Sequence, residues 1–195
     1  MLTPLLRRKI DLAIIDCVPY FGVSDAEFLR FKKPLLRRVL KSKEYPEHDR
    51  DVPAYSIPDN FIYFPLKDPE LLDIFSQAVI NHEVGHYLHN QLNPTIIDGI
   101  TFFLNSGKRP PGHHQLTELV AEYVNFILGL REYDAQSAYR DAKEIYDNYG
   151  HEFLPRLSRM KLEDAIKEGI IRISAPVIPT SQGKTKSILK IPRSQ

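Results

Sequence analysis

Apolar residues recur at helical spacing between Asp68 and Asn90, and this stretch predicts a long amphipathic helix. Asp68 suits the N-cap position, and Pro69 suits the first helical turn because its missing N–H needs no partner there. The apolar positions that share one face are Leu72, Phe75 and Val79. The same stripe then continues into His82 and His86, so the buried face changes from apolar to polar within two turns.

The second half of this predicted helix carries His82, Glu83 and His86 in the spacing H-E-x-x-H. Two imidazoles four residues apart are separated by about 6 Å along the helix axis, so both reach one Zn²⁺ at about 2.0–2.1 Å. Glu83 projects beside such an ion, where a carboxylate can take a proton from metal-bound water and return it to a leaving amine. The motif predicts a metallopeptidase site, and the simpler alternative is a helix with two ordinary histidines and a surface glutamate.

Upstream of the motif, the pattern predicts two helices and then a hairpin. The first helix runs from Thr3 to Asp16, and the second begins at the capping box Ser24 to Glu27 and continues to Val39, with Pro34 kinking or dividing it. Two short strands follow, Ala54 to Ile57 and Phe61 to Phe64. An exposed strand edge there could hold an extended peptide across a metal site, although packing alone explains a hairpin equally well.

Downstream of the motif, the predicted helices are Leu116 to Leu130, Asp134 to Tyr149 and Met160 to Glu168, followed by a strand from Ile170 to Ile173. The fold class is therefore α+β and mostly helical, with a small sheet or hairpin before the motif helix. We divide the chain into an N-terminal helical segment (1–50), a core (51–173) and a flexible basic tail (174–195).

Composition fits a single globular domain, since 43% of the 195 residues are hydrophobic and 26% are charged. The single cysteine, Cys17, excludes an intramolecular disulfide and is compatible with a reducing compartment. Arg7 precedes a short apolar run that resembles a signal peptide, but Asp11 and Asp16 interrupt it. No segment approaches the roughly 18 uncharged apolar residues of a membrane span. We therefore predict a cytoplasmic protein.

Charge is uneven despite a net value of +1, because residues 1–43 contain ten Lys and Arg against four Asp and Glu. A solvated helical face is the simpler interpretation. An anionic partner for the basic N-terminal helices is the sharper alternative.

A catalytic zinc site usually has three protein ligands and an open position. The metzincin spacing would require glycine at position 89 and histidine at position 92, where this chain has His89 and Leu92. His89 lies another 4.5 Å or so along the axis from His86, which is too far to share the ion, so we assign it either to packing or to support of a metal ligand. Glu118 and Glu122 remain as candidates, although solvated carboxylates would also occupy their side of the helix.

The segment HEVGHYLH, together with the later ELVAE, resembles the gluzincin zinc metallopeptidases. It is most similar to compact members of the ImmA/IrrE type or to single-domain minigluzincins. In that group the third ligand is a glutamate on a later helix, and a carboxylate four residues on orients a zinc-bound histidine. The resemblance implies a zincin-like core in which Glu118 is the ligand, Ala121 the small packing residue and Glu122 the orienting carboxylate, where the family usually has aspartate.

The function implied is a zinc-dependent metalloendopeptidase acting on a peptide or protein substrate. Zn²⁺ held by His82, His86 and Glu118 would activate water, with Glu83 as general base and then general acid. His113 and His114 are candidates for steadying a developing oxyanion, or simply an exposed pair at a helix start. The alternative function is a zinc-containing regulatory or binding module with little or no peptidase activity, contacting nucleic acid or a protein. A further possibility is a latent enzyme whose cleft is covered by the segment from Ile170 to Gln195.

Overall fold

The structure of the protein is a computed structural model, and it describes residues 4–38, 54–56, 60–64, 77–93, 112–130 and 136–172. The helices are, in chain order, α1 (Pro4–Cys17), α2 (Asp25–Phe28), α3 (Gln77–Leu92), α4 (His113–Ile127), α5 (Gln136–Tyr149), α6 (Leu154–Leu157) and α7 (Leu162–Lys167), with 3-10 turns at Val18–Phe21 and His151–Phe153. The strands are β1 (Leu35–Arg38), β2 (Ala54–Ser56) and β3 (Phe61–Phe64). The described part of the chain is mostly helical, as predicted.

The three strands form one sheet in the order β1-β3-β2. β2 pairs antiparallel with β3, and Tyr55 lies opposite Ile62, which confirms the predicted hairpin. β1 pairs parallel with β3, and the backbone N–H of Leu35 donates to the carbonyl of Asn60 at 2.9 Å. Among the described strands, β2 therefore stands at one edge of the sheet.

The predicted second helix is wrong beyond its first turn. The Ser24 hydroxyl accepts the backbone N–H of Glu27 as a cap, but α2 ends at Phe28 and residues 35–38 form β1 instead. Pro34 explains why no helix continues through residue 33 into residues 35–38, because it lacks an N–H and biases the residue before it away from helical dihedrals. The apolar pair Leu35 and Leu36 is compatible with either a helix or a strand. Hydrogen bonding to β3 stabilises the strand.

α3 lies at the centre of the packing, in contact with α1, α4 and β2, while α5 packs against α4. The buried face of α1 consists of Leu6, Ile10, Ala13 and Cys17, spaced by four, three and four residues. Burial raises the pKa of the Cys17 thiol well above its usual range. These side chains belong to the same hydrophobic core as Val84 of α3 and Val120 of α4.

The C-terminal part departs from prediction at one element, the strand expected from Ile170 to Ile173. The N–H groups of Ile170 and Ile171 both donate to the carbonyl of Ala165, at 2.9 and 3.1 Å, and Gly169 takes a left-handed φ of +74°. These backbone donors end α7 and are not free for a sheet, so the prediction is wrong for residues 170–172.

The remaining helices agree with prediction to within about one turn. α4 begins and ends three residues before the predicted Leu116 to Leu130, and α7 replaces Met160 to Glu168. The predicted starts at Asp68 and Asp134, and the tail 174–195, lie outside the described residues. No helix in the described ranges is both long and apolar enough to cross a membrane.

Candidate metal centre

Two small residues set the distance between α3 and α4. A Cβ built on Gly85 would lie 2.9 Å from the Cα of Ala121 and 3.4 Å from its Cβ. Any larger residue at position 85 would therefore push against the backbone of α4. Gly85 stands between the two histidines of the motif, so this close crossing brings their side chains within reach of the carboxylates on α4.

His82, His86 and Glu118 converge on one point between the two helices. The Nε2 atoms of His82 and His86 lie 3.0 Å apart. The Glu118 carboxylate approaches both, with Oε2 at 3.3 Å from His82 Nε2 and Oε1 at 3.5 Å from His86 Nε2. The ligand atoms of the three residues all lie within 4.8 Å of one another, the arrangement in which they could hold a metal ion.

These separations fit a tetrahedral ion. Ligands at 2.0–2.1 Å from a tetrahedral centre are about 3.3 Å from each other. The separation of the two Nε2 atoms and the distance from each of them to its nearer Glu118 oxygen range from 3.0 to 3.5 Å. Two neutral imidazoles that face each other through Nε2 direct a lone pair or a proton at the same place, and a cation satisfies both. Two imidazole nitrogens and one carboxylate form the donor set that suits Zn²⁺.

Glu122 lies behind the convergent set. Its Oε1 is 2.9 Å from Nδ1 of His82, so His82 presents one ring nitrogen to Glu118 and the other to Glu122. Glu122 is 0% exposed, and its Oε2 has no hydrogen-bond partner among the described residues. The alternative of solvated carboxylates is therefore wrong for Glu122 and unsuited to Glu118, which is 24% exposed. A carboxylate on the far nitrogen of a histidine fixes its tautomer and ring orientation.

Burial and ionic neighbours act against each other in this cluster. Burial alone lowers the pKa of His82, but hydrogen bonding to Glu118 and Glu122 outweighs it and the pKa rises. Burial dominates at His86 and lowers its pKa to about 4. At Glu118, burial raises the pKa, but the neighbouring His86 and His82 lower it by more, so the net shift is downward. Without an ion, His82 therefore favours the charged form between two carboxylates, and metal binding there would release its proton. His86 already favours the neutral form that binds metal.

Glu83 points to a different neighbour, although it follows His82 directly. Its side chain is 4% exposed, and Oε2 accepts the backbone N–H of Tyr55 in β2 at 2.6 Å. Burial raises the pKa of Glu83 to about 7. The motif glutamate is thus buried and anchored by the sheet, and is not the surface residue of the simpler sequence interpretation.

The other histidines differ in their relation to the cluster. His114, at 54% exposed, brings Nδ1 to 3.4 Å from Oε1 of Glu118, one helical turn away. His113 is partly buried, and its Nδ1 has no hydrogen-bond partner within the described ranges. His89 is fully buried with Nε2 3.4 Å from Nδ2 of Asn93, in agreement with the packing alternative.

Sequence reasoning missed three residues that shape this region. Gly85 sets the helix crossing, Tyr55 binds Glu83 through its N–H, and Asn90 donates to the Tyr55 hydroxyl at 2.9 Å. Asn90 follows Glu83 by seven residues, which is two helical turns, so helical spacing places the two side chains on one face. The spacing thus predicts that Glu83 and Asn90 share a face of the helix, but it does not identify Tyr55 as the partner of both.

Comparisons with known protein families, with curated proteins and with solved structures gave no match to this chain. A functional assignment therefore depends on the geometry of the cluster and on the chemistry of its donors.

Proposed function

We propose that this protein is a zinc-dependent metalloendopeptidase with a zincin-like core. The observation that carries the proposal is the convergence of His82, His86 and Glu118, whose ligand atoms lie within 4.8 Å of one another. The three residues come from two helices separated in sequence, and a buried glutamate adjoins the first histidine. Such an arrangement favours a metal site with an acid–base group beside it.

Each side chain has a distinct role in this proposal. His82, His86 and Glu118 would hold Zn²⁺, and Glu122 orients the His82 ring through Nδ1. A Zn²⁺ ion there would supply a Lewis acid that acidifies water and polarises a carbonyl. Glu83 accepts the proton of the attacking water and passes it to the leaving amine.

The substrate proposed is a peptide or a protein segment, as the resemblance to metallopeptidases implies. Glu83 lies beside β2, which is an edge strand among the described strands. The N–H of Tyr55 that points away from β3 donates to Glu83, so this donor is not available to a substrate main chain.

Glu83→Gln tests the proposal, because it removes the basic oxygen and keeps the size of the side chain. We expect zinc content by mass spectrometry to stay at one ion per chain, and the rate of cleavage of a quenched peptide library to fall by at least about 100-fold. The matched control is Glu163→Gln, an exposed carboxylate on α7, which should cleave at the wild-type rate. A Glu83→Gln protein that cleaves normally, or a wild type that holds no zinc, would contradict the proposal.

The binding-module alternative stays a prediction, and the same samples test it. Its signature would be zinc-loaded wild type that cleaves no library member yet binds duplex DNA or another anion in a salt-dependent way. The latent-enzyme alternative involves residues 170–195, of which 173–195 lie outside the described residues. The oxyanion role of His113 and His114, and a cytoplasmic location, likewise stay predictions.

A further inference from the structure

One face of α3 meets a single residue of the sheet at three places. Glu83, Tyr87 and Asn90 are spaced by four and three residues and so share this face. Glu83 accepts the Tyr55 backbone N–H at 2.6 Å, Tyr87 packs edge-on against the Tyr55 ring with centroids 6.1 Å apart, and Asn90 donates to the Tyr55 hydroxyl at 2.9 Å. Tyr55 is therefore held at its backbone, its ring and its hydroxyl.

The Tyr55 hydroxyl also links α3 to the start of β3. It donates to Oδ1 of Asn60 at 2.9 Å, and Nδ2 of Asn60 donates to the carbonyls of Lys32 and Lys33 at 3.1 and 3.2 Å. Asn60 has a left-handed φ of +50°, which asparagine tolerates better than most residues. We call Tyr55, Asn60 and Asn90 the Tyr55 clasp.

We propose that Tyr55 is a positioning residue, and that the Tyr55 clasp holds β2 at the place where the Tyr55 N–H orients the Glu83 carboxylate. This inference rests on the proposed function, because it assigns a purpose to the orientation of Glu83. The clasp acts on the hydroxyl end of Tyr55, and its effect reaches Glu83 through the short strand that carries the N–H.

A glutamate carboxylate needs such a restraint, since rotation about its terminal bond is broad and weakly restricted. An N–H that binds Oε2 restricts this rotation and so fixes which of the two oxygens faces β2. Within the described residues, the Tyr55 N–H is the hydrogen-bond donor to Glu83. β2 has three residues, so a strand this short depends on its side chains to stay in register.

Tyr55→Phe tests the proposal, because it removes both hydrogen bonds of the hydroxyl and keeps the ring that packs against Tyr87. Tyr123→Phe is the matched control, since it also removes one buried tyrosine hydroxyl, which donates to the carbonyl of Gly150 at 2.7 Å. Tyr123 packs against Tyr146 of α5 and has no contact with the Tyr55 clasp among those described.

The first readout is amide hydrogen exchange at position 55, measured by NMR in the zinc-loaded protein. We expect the exchange rate of this amide to rise about tenfold or more in Tyr55→Phe, because a loosened strand opens more often. The amide should stay at the wild-type rate in Tyr123→Phe. Unchanged exchange at position 55 in a folded Tyr55→Phe protein would overturn the proposal.

The second readout separates kcat from KM. Displacement of a reacting group by about 1 Å can reduce a rate by roughly 100-fold, so we expect kcat to fall between about 10- and 100-fold in Tyr55→Phe. KM and zinc content should stay within about twofold of wild type, because the metal ligands do not touch the clasp. An equal loss of kcat in Tyr123→Phe would assign the effect to general stability and would overturn the proposal.

Asn90→Ala provides a second variant if Tyr55→Phe folds poorly. It removes the same hydrogen bond from the other side, and the double variant should lose about as much as either single one, as expected for two residues that act together. Full additivity would overturn the clasp.

The two proposals fail in distinguishable ways. If zinc-loaded wild type cleaves nothing, the proposed function fails and the exchange measurement still decides whether the clasp holds β2. If wild type cleaves peptides but the exchange rate at position 55 is unchanged in Tyr55→Phe and Asn90→Ala, the clasp proposal is wrong and the proposed function is retained.

Discussion

The two faces of α3 differ in the partners that their polar side chains have within the protein. On the face toward α4, His82 and His86 bring two ring nitrogens to 3.0 Å from each other, beside a carboxylate. On the face toward β2, Glu83 and Asn90 each already have a partner in Tyr55. The first face is an arrangement that a cation would satisfy, whereas on the second face the Glu83 carboxylate and the Nδ2 atom of Asn90 are already hydrogen-bonded to Tyr55.

This difference arises from a one-residue offset along the same helix. Residues 82 and 83 lie about 100° apart around the axis, so one meets the neighbouring helix and the other meets the sheet. In the proposed function, the helix thereby separates metal binding from acid–base chemistry while holding both within two turns. Substitutions on one face should therefore change zinc affinity, and substitutions on the other should change rate.

The largest effect is expected at the ligand carboxylate on α4. Zinc sites with four ligands have apparent binding free energies of roughly 10–16 kcal/mol, so loss of one ligand should weaken zinc binding by about 1,000-fold in Glu118→Gln. Glu122→Gln should weaken it by only about 10- to 100-fold, because in the proposed site Glu122 orients a ligand and does not bind the ion. Competition with a chelator measures both.

Glu163→Gln, far along the chain on α7, serves as the control and should bind zinc as wild type does. A larger loss of zinc affinity in Glu122→Gln than in Glu118→Gln would make Glu122 the metal ligand and Glu118 the residue that orients a histidine. Equal and negligible losses would show that His82 is instead a protonated histidine paired with two carboxylates.

A smaller effect is expected from Gly85→Ala. The new Cβ would lie 2.9 Å from the Cα of Ala121, so α3 and α4 must separate. We expect the free energy of unfolding to fall by about 1–3 kcal/mol, as for other overpacked interiors, together with a loss of zinc affinity. Urea unfolding and chelator competition measure the two effects.

Ala121→Gly should not rescue this variant, because the closest atom is the backbone Cα and not the Cβ at 3.4 Å. The amide of Tyr55, on the other face of α3, should keep its slow exchange. Full rescue by Ala121→Gly would contradict the assigned contact.

The smallest and most specific effect concerns pH. His89 lies two turns after His82, and burial lowers its pKa to about 3 from an ordinary value near 6.5. The unfolded chain therefore binds a proton at this residue below pH 6.5 that the folded chain does not bind, and stability falls as pH decreases toward 3. Between pH 8 and pH 5 this contribution amounts to about 2 kcal/mol.

Urea unfolding of the zinc-free protein at pH 8 and pH 5 measures this effect, with His89→Gln as the comparison. The variant should lose less stability between the two pH values, because other titrating groups act equally in both proteins. Identical pH dependence in the two proteins would contradict a neutral buried His89.

Local patterns were enough to predict the hairpin and every described helix except most of the second, because helical and strand spacings are local properties. The histidine face was predicted from spacing alone, and the choice of Glu118 came from the family resemblance. Pairing of β1 with β3 could not be predicted, since residues 35 and 61 are far apart in the chain and Leu35-Leu36 has no strict alternation. The role of Tyr55 was missed for the same reason, because its partner Glu83 is 28 residues away.

The buried end of α1 offers an internal probe of opening. Alkylating reagents attack the thiolate, and Cys17 is enclosed in the core with its pKa raised, so the folded protein should resist modification. The sequence contains no other thiol, so each labelled molecule would have reacted at Cys17. Labelling would therefore report transient openings in which α1 separates from its neighbours. The labelling rate with and without added zinc would then show whether an ion bound between α3 and α4 changes how often α1 opens.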